Sequence, residues 1–189
     1  VYKRQKITIA VYCSAVAGLP EHWQEGARVT GRWIGSHGAT LVYGGVDAGM
    51  MTTVAAATHD AGGRVVGVVP TRRREWSSDY NDIVVPTSDL NERKGTMQLL
   101  ADAFVVLPGG YGTLDEFSTS FSYINFTDQP NKHIVIYSPD GLYDPLLEQL
   151  RRMVEAGLLR PSALDILRVV TAPEEIALVL DQLFKEREA

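Results

Sequence analysis

The chain has one cysteine, few histidines and no long hydrophobic run, and each shortage excludes a class of protein. With Cys13 as the sole cysteine, no intramolecular disulfide can form, and its apolar surroundings favour a small buried side chain. The histidines include no i,i+4 pair, which leaves zinc without a ligand set. No segment approaches the roughly 20 apolar residues of a membrane span. We therefore expect no metal, no membrane association and a cytoplasmic location.

The sequence also lacks a surplus of positive charge. Its formal net charge is −5 and its pI is about 5.4. Binding to nucleic acid relies on Lys and Arg to neutralise phosphates, so no nucleic-acid partner is expected. The length of 189 residues and the 45% hydrophobic content are typical of one globular domain, predicted over residues 1–189.

Short β-branched segments alternate with segments of helical periodicity. The predicted strands are 6–13, 39–44, 63–70, 82–86, 101–108, 132–138 and 167–171. The predicted helices are 21–36, 50–61, 90–100, 113–124, 143–156 and one beginning near Pro173. The first apolar segment alternates, which favours a strand over a signal peptide. This order predicts a doubly wound, Rossmann-like α/β fold, with a mostly parallel sheet of about seven strands, helices on both faces, and ligands bound beyond the carboxyl ends of the strands.

The stretch "LPGGYGTLDE" (107–116) places three glycines between the fifth strand and the next helix. Glycine permits a positive φ and lets another group approach the backbone closely. Successive amides in such a turn and the positive end of the helix dipole form an anion site, most naturally for a phosphate. Thr113 could add a hydroxyl donor. The alternative is a tight turn in which Thr113 caps the helix and nothing binds.

Neither common nucleotide motif matches this turn. A P-loop requires a lysine after its last glycine, and none follows here. A dinucleotide fingerprint requires a third glycine where Asp115 stands. Glu116 lies about one turn into the helix, where it would face a neutral or cationic part of the ligand. Both Glu116 and the more exposed Asp115 could instead only stabilise the start of the helix.

A second polar group lies in "SDLNERKGTM" (88–97), ahead of the fifth strand. Asp89 and Glu92 have the spacing of a helix cap. Arg93 and Met97 are four residues apart and share a helix face, which could hold a nucleobase. The alternative is a solvated arginine above a methionine of the core.

The two stretches together resemble the P-G-G-x-G-T-x-x-E and E-R-K motifs of the LONELY GUY (LOG) family. "VYCSA", "LVYGGVDAGMM" and "GGRVVGVVP" extend the likeness through nearly the whole chain. The family comprises cytokinin riboside 5′-monophosphate phosphoribohydrolases, which are often mislabelled as lysine decarboxylases. The resemblance implies hydrolysis of purine nucleoside 5′-monophosphates, AMP included, to free base and ribose 5-phosphate, without a cofactor. It also implies a homodimer with the active site close to the subunit interface.

The resemblance assigns roles to individual residues. It implies Arg93 and Glu116 as the catalytic pair. It implies nucleotide contacts at Glu75, Arg93, Lys94, Gly110, Tyr111, Gly112, Thr113, Leu114, Asp115, Glu116 and Ser122, where Ser122 replaces a threonine. The turn and the shared helix face described above add Gly109 and Met97 to the predicted substrate contacts. The basic segment "TRRREW" (71–76), which contains Glu75, is otherwise typical of a solvated loop.

The chain departs from the family pattern at several positions. Val46 stands for a glycine, Asn91 for a common histidine, and Tyr123 and His133 for a tryptophan and a proline. The last two bound "YINFTDQPNKH" (123–133), so the preference among substrates is open.

Two other functions share parts of this pattern. A nucleotide- or molybdenum-cofactor-binding carrier would share the fold and the turn without hydrolysis, but retention of both Arg93 and Glu116 weighs against it. A pyridoxal-dependent decarboxylase needs a Schiff-base lysine, and only Lys94 and Lys132 lie away from the termini.

Overall fold

Seven parallel strands form one sheet in the computed structural model, which describes residues 7–127, 129 and 131–185. The strands are β1 (Thr8–Tyr12), β2 (Thr40–Tyr43), β3 (Arg64–Pro70), β4 (Ile83–Thr87), β5 (Ala103–Val106), β6 (Ile134–Tyr137) and β7 (Leu167–Val170). Their order is β4-β3-β2-β1-β5-β6-β7, and each neighbouring pair is parallel. The predicted fold is confirmed.

Within the described part of the chain, six α-helices connect and follow the strands. They are α1 (Glu21–Ser36), α2 (Gly49–Asp60), α3 (Leu90–Leu100), α4 (Tyr111–Phe126), α5 (Asp144–Glu155) and α6 (Pro173–Lys185). A short 3-10 helix, Thr71–Trp76, follows β3. The predicted start of the first strand at residue 6, and residues 128 and 130 of the divergent 123–133 segment, lie outside the described residues.

Both faces of the sheet are covered, and the central strand shows how. Alternate residues of a strand point to opposite faces. Ile9 and Val11 of β1 pack in a core cluster with α1, α2 and α6, whereas Ala10 and Tyr12 pack in a second cluster with α3, α4 and α5. This two-sided burial explains why the strands are almost continuously apolar.

The chain reverses its direction across the sheet at β1. Strands β2, β3 and β4 are added on one side of β1, and the chain then crosses to place β5 on the other side. The loops after β1 and β5 therefore diverge to opposite faces and leave a crevice at the carboxyl edge, where such sheets bind ligands. Among the described residues no helix is long and apolar enough to cross a bilayer.

Candidate active site

A cavity of about 290 Å³ opens at this crevice. Its apolar side comes from β1, the loop after it and α2; its polar side comes from α3 and the start of α4. The lining residues are Val11, Cys13, Ser14, Ala15, Val16, Gly44, Met51, Arg93, Gly110, Gly112, Thr113 and Glu116. Its volume is at the lower end of the roughly 300–1,000 Å³ range of small-molecule pockets.

Arg93 and Glu116 meet inside the cavity. Nη2 of Arg93 lies 3.1 Å from Oε1 of Glu116, and the two side chains are only 16% and 10% exposed. Arg93 also donates from Nε to the carbonyl oxygen of Val68 at 3.1 Å. The guanidinium is thus held between the end of β3 and the carboxylate of α4. The two residues predicted as a catalytic pair lie together, although their chemical role stays a prediction.

Gly44 makes room for the arginine. A Cβ atom at this position would lie 2.1 Å from Nη2 of Arg93 and 2.4 Å from Cε of Met51. Any larger residue would therefore push the guanidinium or the methionine away from the position that it now occupies.

The electrostatic environment of Glu116 suits proton exchange near neutral pH. Burial raises the pKa of its carboxyl group to about 7, even though the nearby charge of Arg93 lowers it. A buried carboxyl group with such a pKa, lining an open cavity, is a candidate general acid or base.

The glycine turn differs from its sequence interpretation in one respect. None of Gly109, Gly110 and Gly112 has a positive φ, so these glycines are not required by a left-handed backbone. Gly109 instead allows close packing, because its Cβ would lie 2.0 Å from Oγ1 of Thr113. A Cβ at Gly110 or Gly112 would meet nothing within 4 Å, and both residues line the cavity. The space above their backbone is open to a ligand.

Helix α4 begins at Tyr111, two residues earlier than predicted, with Gly110 as its N-cap residue. The alternative in which Thr113 caps the helix is therefore wrong. Thr113 is a buried residue of the first turn that also lines the cavity. The amides of Tyr111, Gly112 and Thr113 belong to the first turn, where they have no partner within the helix, and the helix dipole adds a positive partial charge there.

Lys94 and Asp115 form a second link between α3 and α4. Nζ of Lys94 donates to both carboxylate oxygens of Asp115, at 2.9 and 2.8 Å. Both residues were predicted to contact the nucleotide, but neither is among the residues that line the cavity. In this structure they form an ion pair with each other, which links α3 and α4 in addition to the Arg93–Glu116 pair.

The structure gives no support to the prediction that Met97 contacts the substrate. Its side chain is 0% exposed and packs with Phe104 and Phe117 in the core. Arg93 lies one helical turn nearer the carboxyl edge of the sheet. On the helix face that the two residues share, Arg93 therefore lines the cavity, whereas Met97 packs in the core. Leu114 is half-buried against the same core cluster.

Three other predicted contacts lie on the surface of this chain. Tyr111 is 93% exposed, Ser122 is exposed further along α4, and Glu75 is exposed on the 3-10 helix that follows β3. None of them belongs to the described residues that line the cavity. The neighbouring Arg73 stacks on the ring of Trp76, with its guanidinium carbon 4.2 Å from the ring centroid.

The sequence reasoning did not select the loop after β1, which forms the apolar side of the cavity. Ser14, Ala15 and Val16 line it, together with Met51 of α2. The rule that ligands lie beyond strand ends could have identified this loop, had β1 been recognised as the central strand. Cys13 also lines the cavity and is buried, as predicted, and its burial raises the pKa of the thiol, which disfavours the reactive thiolate.

The predicted cap of α3 is confirmed in a modified form. Oδ1 of Asp89 accepts hydrogen bonds from the amides of Asn91 and Glu92, at 2.8 and 2.9 Å. Glu92 reaches back to the amide and the hydroxyl of Ser88, both at 2.6 Å, rather than to Asp89. This cap fixes the start of the helix that carries Arg93.

Comparisons with known proteins agree with these motifs. A family model described as "Possible lysine decarboxylase" matches residues 51–180. The chain is 34% identical over 184 residues to the probable cytokinin riboside 5′-monophosphate phosphoribohydrolase LOGL2 of Oryza sativa subsp. japonica, covering 95% of this chain and 74% of that protein. It is 38% identical over 167 residues to the cytokinin riboside 5′-monophosphate phosphoribohydrolase of Mycobacterium tuberculosis, covering 86% and 87%. The chain belongs to the LOG family.

Solved structures share the fold of this LOG-family chain. The molybdenum cofactor carrier protein of Chlamydomonas reinhardtii superposes with a TM-score of 0.72 at 23% identity, covering 96% of this chain and 99% of that one. The superposition establishes a common fold. Because the identity is low, it does not establish a common reaction, which has to be argued from the site.

None of the positions at which this LOG-family chain departs from the family pattern is among the described residues that line the cavity. Val46 is half-buried and forms an isolated antiparallel bridge with Ser77, which ties the loop after β2 to the end of the 3-10 helix. Tyr123 is half-buried, and Nζ of Lys132 lies 5.5 Å from the centroid of its ring.

Proposed function

We propose that this protein hydrolyses the N-glycosidic bond of purine nucleoside 5′-monophosphates, including AMP and cytokinin-type nucleotides. The products would be the free base and ribose 5-phosphate. The observation that carries the proposal is the contact of 3.1 Å between Arg93 and Glu116 inside an open cavity, beside the first turn of α4. The names of its relatives support the same reaction.

The 5′-phosphate would bind at the start of α4. Amides of the first turn and the hydroxyl of Thr113 can donate to its oxygens, and the helix dipole favours its negative charge. Gly110 and Gly112 have no side chain to obstruct this approach. The ribose would then lie further into the cavity, towards Glu116.

Cleavage breaks the bond between C1′ and the base nitrogen and places positive charge on the ribose, as in other glycoside hydrolyses. The Glu116 carboxylate would stabilise this charge and accept a proton from the water that attacks C1′. The departing base would leave with the bonding electrons and take up a proton from solvent, while Glu116 would return the proton of the attacking water to solvent. Arg93 orients the substrate and the carboxylate; it does not donate the proton, because guanidinium does not deprotonate in proteins.

Incubation with AMP, followed by chromatography of the free base, tests the proposal. We expect Glu116→Gln to keep the fold and to lose at least about 100-fold in kcat, the range seen for general acid–base groups. Arg93→Ala should also be inactive. Glu148→Gln, a change of an exposed carboxylate on α5, is the matched control and should be fully active. Normal turnover in Glu116→Gln would refute the assignment.

A carrier function without hydrolysis is the second candidate, because the chain shares its fold with a molybdenum cofactor carrier. The buried Arg93–Glu116 pair supports hydrolysis over carriage. Release of adenine from AMP separates the two, since a carrier would bind the nucleotide unchanged.

Lysine decarboxylation, the activity in the family model's description, has little support. Lys94 forms an ion pair with Asp115, and Lys132 donates to the carbonyl oxygen of Gln98 at 3.1 Å. Neither lysine lines the cavity that contains Arg93 and Glu116, where a Schiff base would have to form.

We further propose a homodimer that uses the outer surface of α3 and α4, so that its interface would border the cavity. Large apolar side chains are exposed on both helices: Leu90, Leu99, Leu100, Tyr111 and Phe126. A second copy on this surface would bury them and would bring Tyr111 and Ser122 near the site. The predicted cytoplasmic location stays a prediction of the sequence.

A further inference from the structure

A buried polar contact lies one turn of α4 away from Glu116. The hydroxyl of Tyr12, on the central strand β1, lies 2.8 Å from the hydroxyl of Ser120 on α4. The two residues are 1% and 0% exposed. Nε2 of Gln98, a 5% exposed residue of α3, lies 3.5 Å from the same serine oxygen. Three elements of the core are thus joined at one point by side-chain polar groups.

The position of this contact relates it to the cavity. Ser120 follows Glu116 by four residues and so lies on the same face of α4, one turn deeper. Gln98 is on α3, the helix of Arg93. A hydrogen bond from β1 to Ser120 therefore limits rotation and sliding of α4 against α3, the movements that would change the Arg93–Glu116 distance.

The contact is also an exception within its surroundings. Around it the core is apolar, with Met97, Phe117 and Phe121 in the same cluster. Burial raises the pKa of the Tyr12 hydroxyl and keeps it a neutral phenol, although the hydrogen bond with Ser120 lowers that pKa. The charge of Glu116 raises the same pKa and the charge of Arg93 lowers it, so both members of the pair act on the phenol.

We propose that Tyr12 and Ser120 are positioning residues, which hold Glu116 against Arg93 in the geometry that the reaction needs. The proposal rests on the proposed function for its activity readout only. Small displacements of a reacting group reduce turnover strongly, so loss of the contact should lower kcat and leave KM little changed.

Titration of Glu116 gives a readout that does not depend on turnover. The charged groups that act on this carboxyl group are Arg93 and Lys94 on α3, which lower its pKa, and Asp115 on its own helix, which raises it. On the opposite side, burial and the charge of Glu116 raise the pKa of Tyr12, at the end of β1, and of Cys13, the residue that follows it. If α4 shifts and the Arg93 contact loosens, the pKa of Glu116 should rise.

The experiment compares Tyr12→Phe and Ser120→Ala with the unmodified protein. We expect each variant to lose roughly 10- to 100-fold in kcat for AMP and to raise the Glu116 pKa, measured by NMR titration of carbon-13-labelled glutamate. Tyr137→Phe is the matched control, because Tyr137 is a fully buried strand tyrosine whose hydroxyl donates to the carbonyl oxygen of His22 at 3.0 Å. It should lose a similar amount of thermal stability without changing kcat or the Glu116 pKa.

The outcomes are distinguishable. If Tyr12→Phe and Ser120→Ala both fold and leave the Glu116 titration and kcat unchanged, the positioning role is overturned. A lower Tm with an unchanged Glu116 titration would overturn it as well, because the contact would then only stabilise the fold. If Tyr12→Phe does not fold, Ser120→Ala decides. If the unmodified protein releases no base from AMP, the proposed function fails, and the titration alone still decides whether the contact positions Glu116.

Discussion

At the scale of single residues, Glu116 links stability to pH. Its pKa in the folded protein, about 7, lies above its ordinary value of 4.5. The folded state therefore binds this proton more tightly than the unfolded chain. The stabilisation that this proton gives the folded state is complete below about pH 4.5 and is lost as the pH rises through about 7.

Glu116→Gln, which mimics the protonated carboxyl group, should for that reason stabilise the protein at alkaline pH. We expect a gain of up to ~3 kcal/mol in the free energy of unfolding at about pH 8 and under ~1 kcal/mol near pH 5, from the difference between the two pKa values. Urea denaturation at both pH values measures it. A gain that is the same at both would show that Glu116 does not titrate in this range.

The same carboxyl group predicts the pH dependence of activity. If its ionised form accepts the proton of water, kcat/KM for AMP should rise with pH through an apparent pKa of about 7. Initial rates between about pH 5 and pH 9 test this. Activity that falls as the pH rises through this range would require the protonated acid instead.

Gly44→Ala tests the close approach of Arg93. The new methyl group would meet the ends of two flexible side chains, Arg93 and Met51, at 2.1 and 2.4 Å. We expect a modest change in Tm but a loss of roughly 100-fold in kcat, since a reacting group would be displaced by about 1 Å. Thermal denaturation and initial rates measure the two effects; unchanged kcat would show that the position of Arg93 is not required.

At the scale of elements, the start of α4 contains a glycine that lowers the stability of the helix but leaves room for a ligand. Gly112 lies in the first helical turn, without a positive φ and with open space at its Cβ position. A glycine inside a helix is less favourable than alanine by roughly 0.5–1 kcal/mol, so the glycine costs stability. Open space above the amides is what a bound phosphate would need.

Gly112→Ala should therefore raise stability slightly and weaken binding. We expect KM for AMP to rise about tenfold or more, because hydrogen bonds to charged groups contribute ~1.5–3 kcal/mol. Gly95→Ala is the control, since Gly95 also lies in a helix with open space at its Cβ position. It should raise stability without changing KM. An unchanged KM in Gly112→Ala would place the phosphate elsewhere.

At the scale of the whole molecule, the exposed apolar residues of α3 and α4 predict self-association. Phe126 is 90% exposed at the end of α4. We expect the protein to sediment as a dimer and Phe126→Glu to shift it towards monomer, since burial of a charge without a partner is unfavourable. Leu178→Glu on α6, where the residue is 59% exposed, should not change the sedimentation. Equal effects of both changes would locate the interface elsewhere.

The sequence alone determined the order of elements and their type. Periodicity and capping located helices α1 and α3 with the bounds that the structure has, because Asp89 and the apolar spacing act locally. The predicted strands β1 and β5 were too long, since the apolar pattern continues through Cys13 and Leu107 into the loops that line or support the cavity. Helix α4 began earlier than predicted, because a glycine turn without a positive φ leads directly into a helix.

Local patterns also identified Arg93 and Glu116, since each belongs to a compact motif. Only the tertiary structure could decide that these two residues, 23 positions apart in the sequence, lie 3.1 Å from each other. It alone placed Met97 in the core, paired Lys94 with Asp115, and brought Ser14 and Val16 to the other side of the cavity. The physical reason is that contacts and burial depend on which strands are neighbours, and the crossover from β4 to β5 that sets this order leaves no local signal.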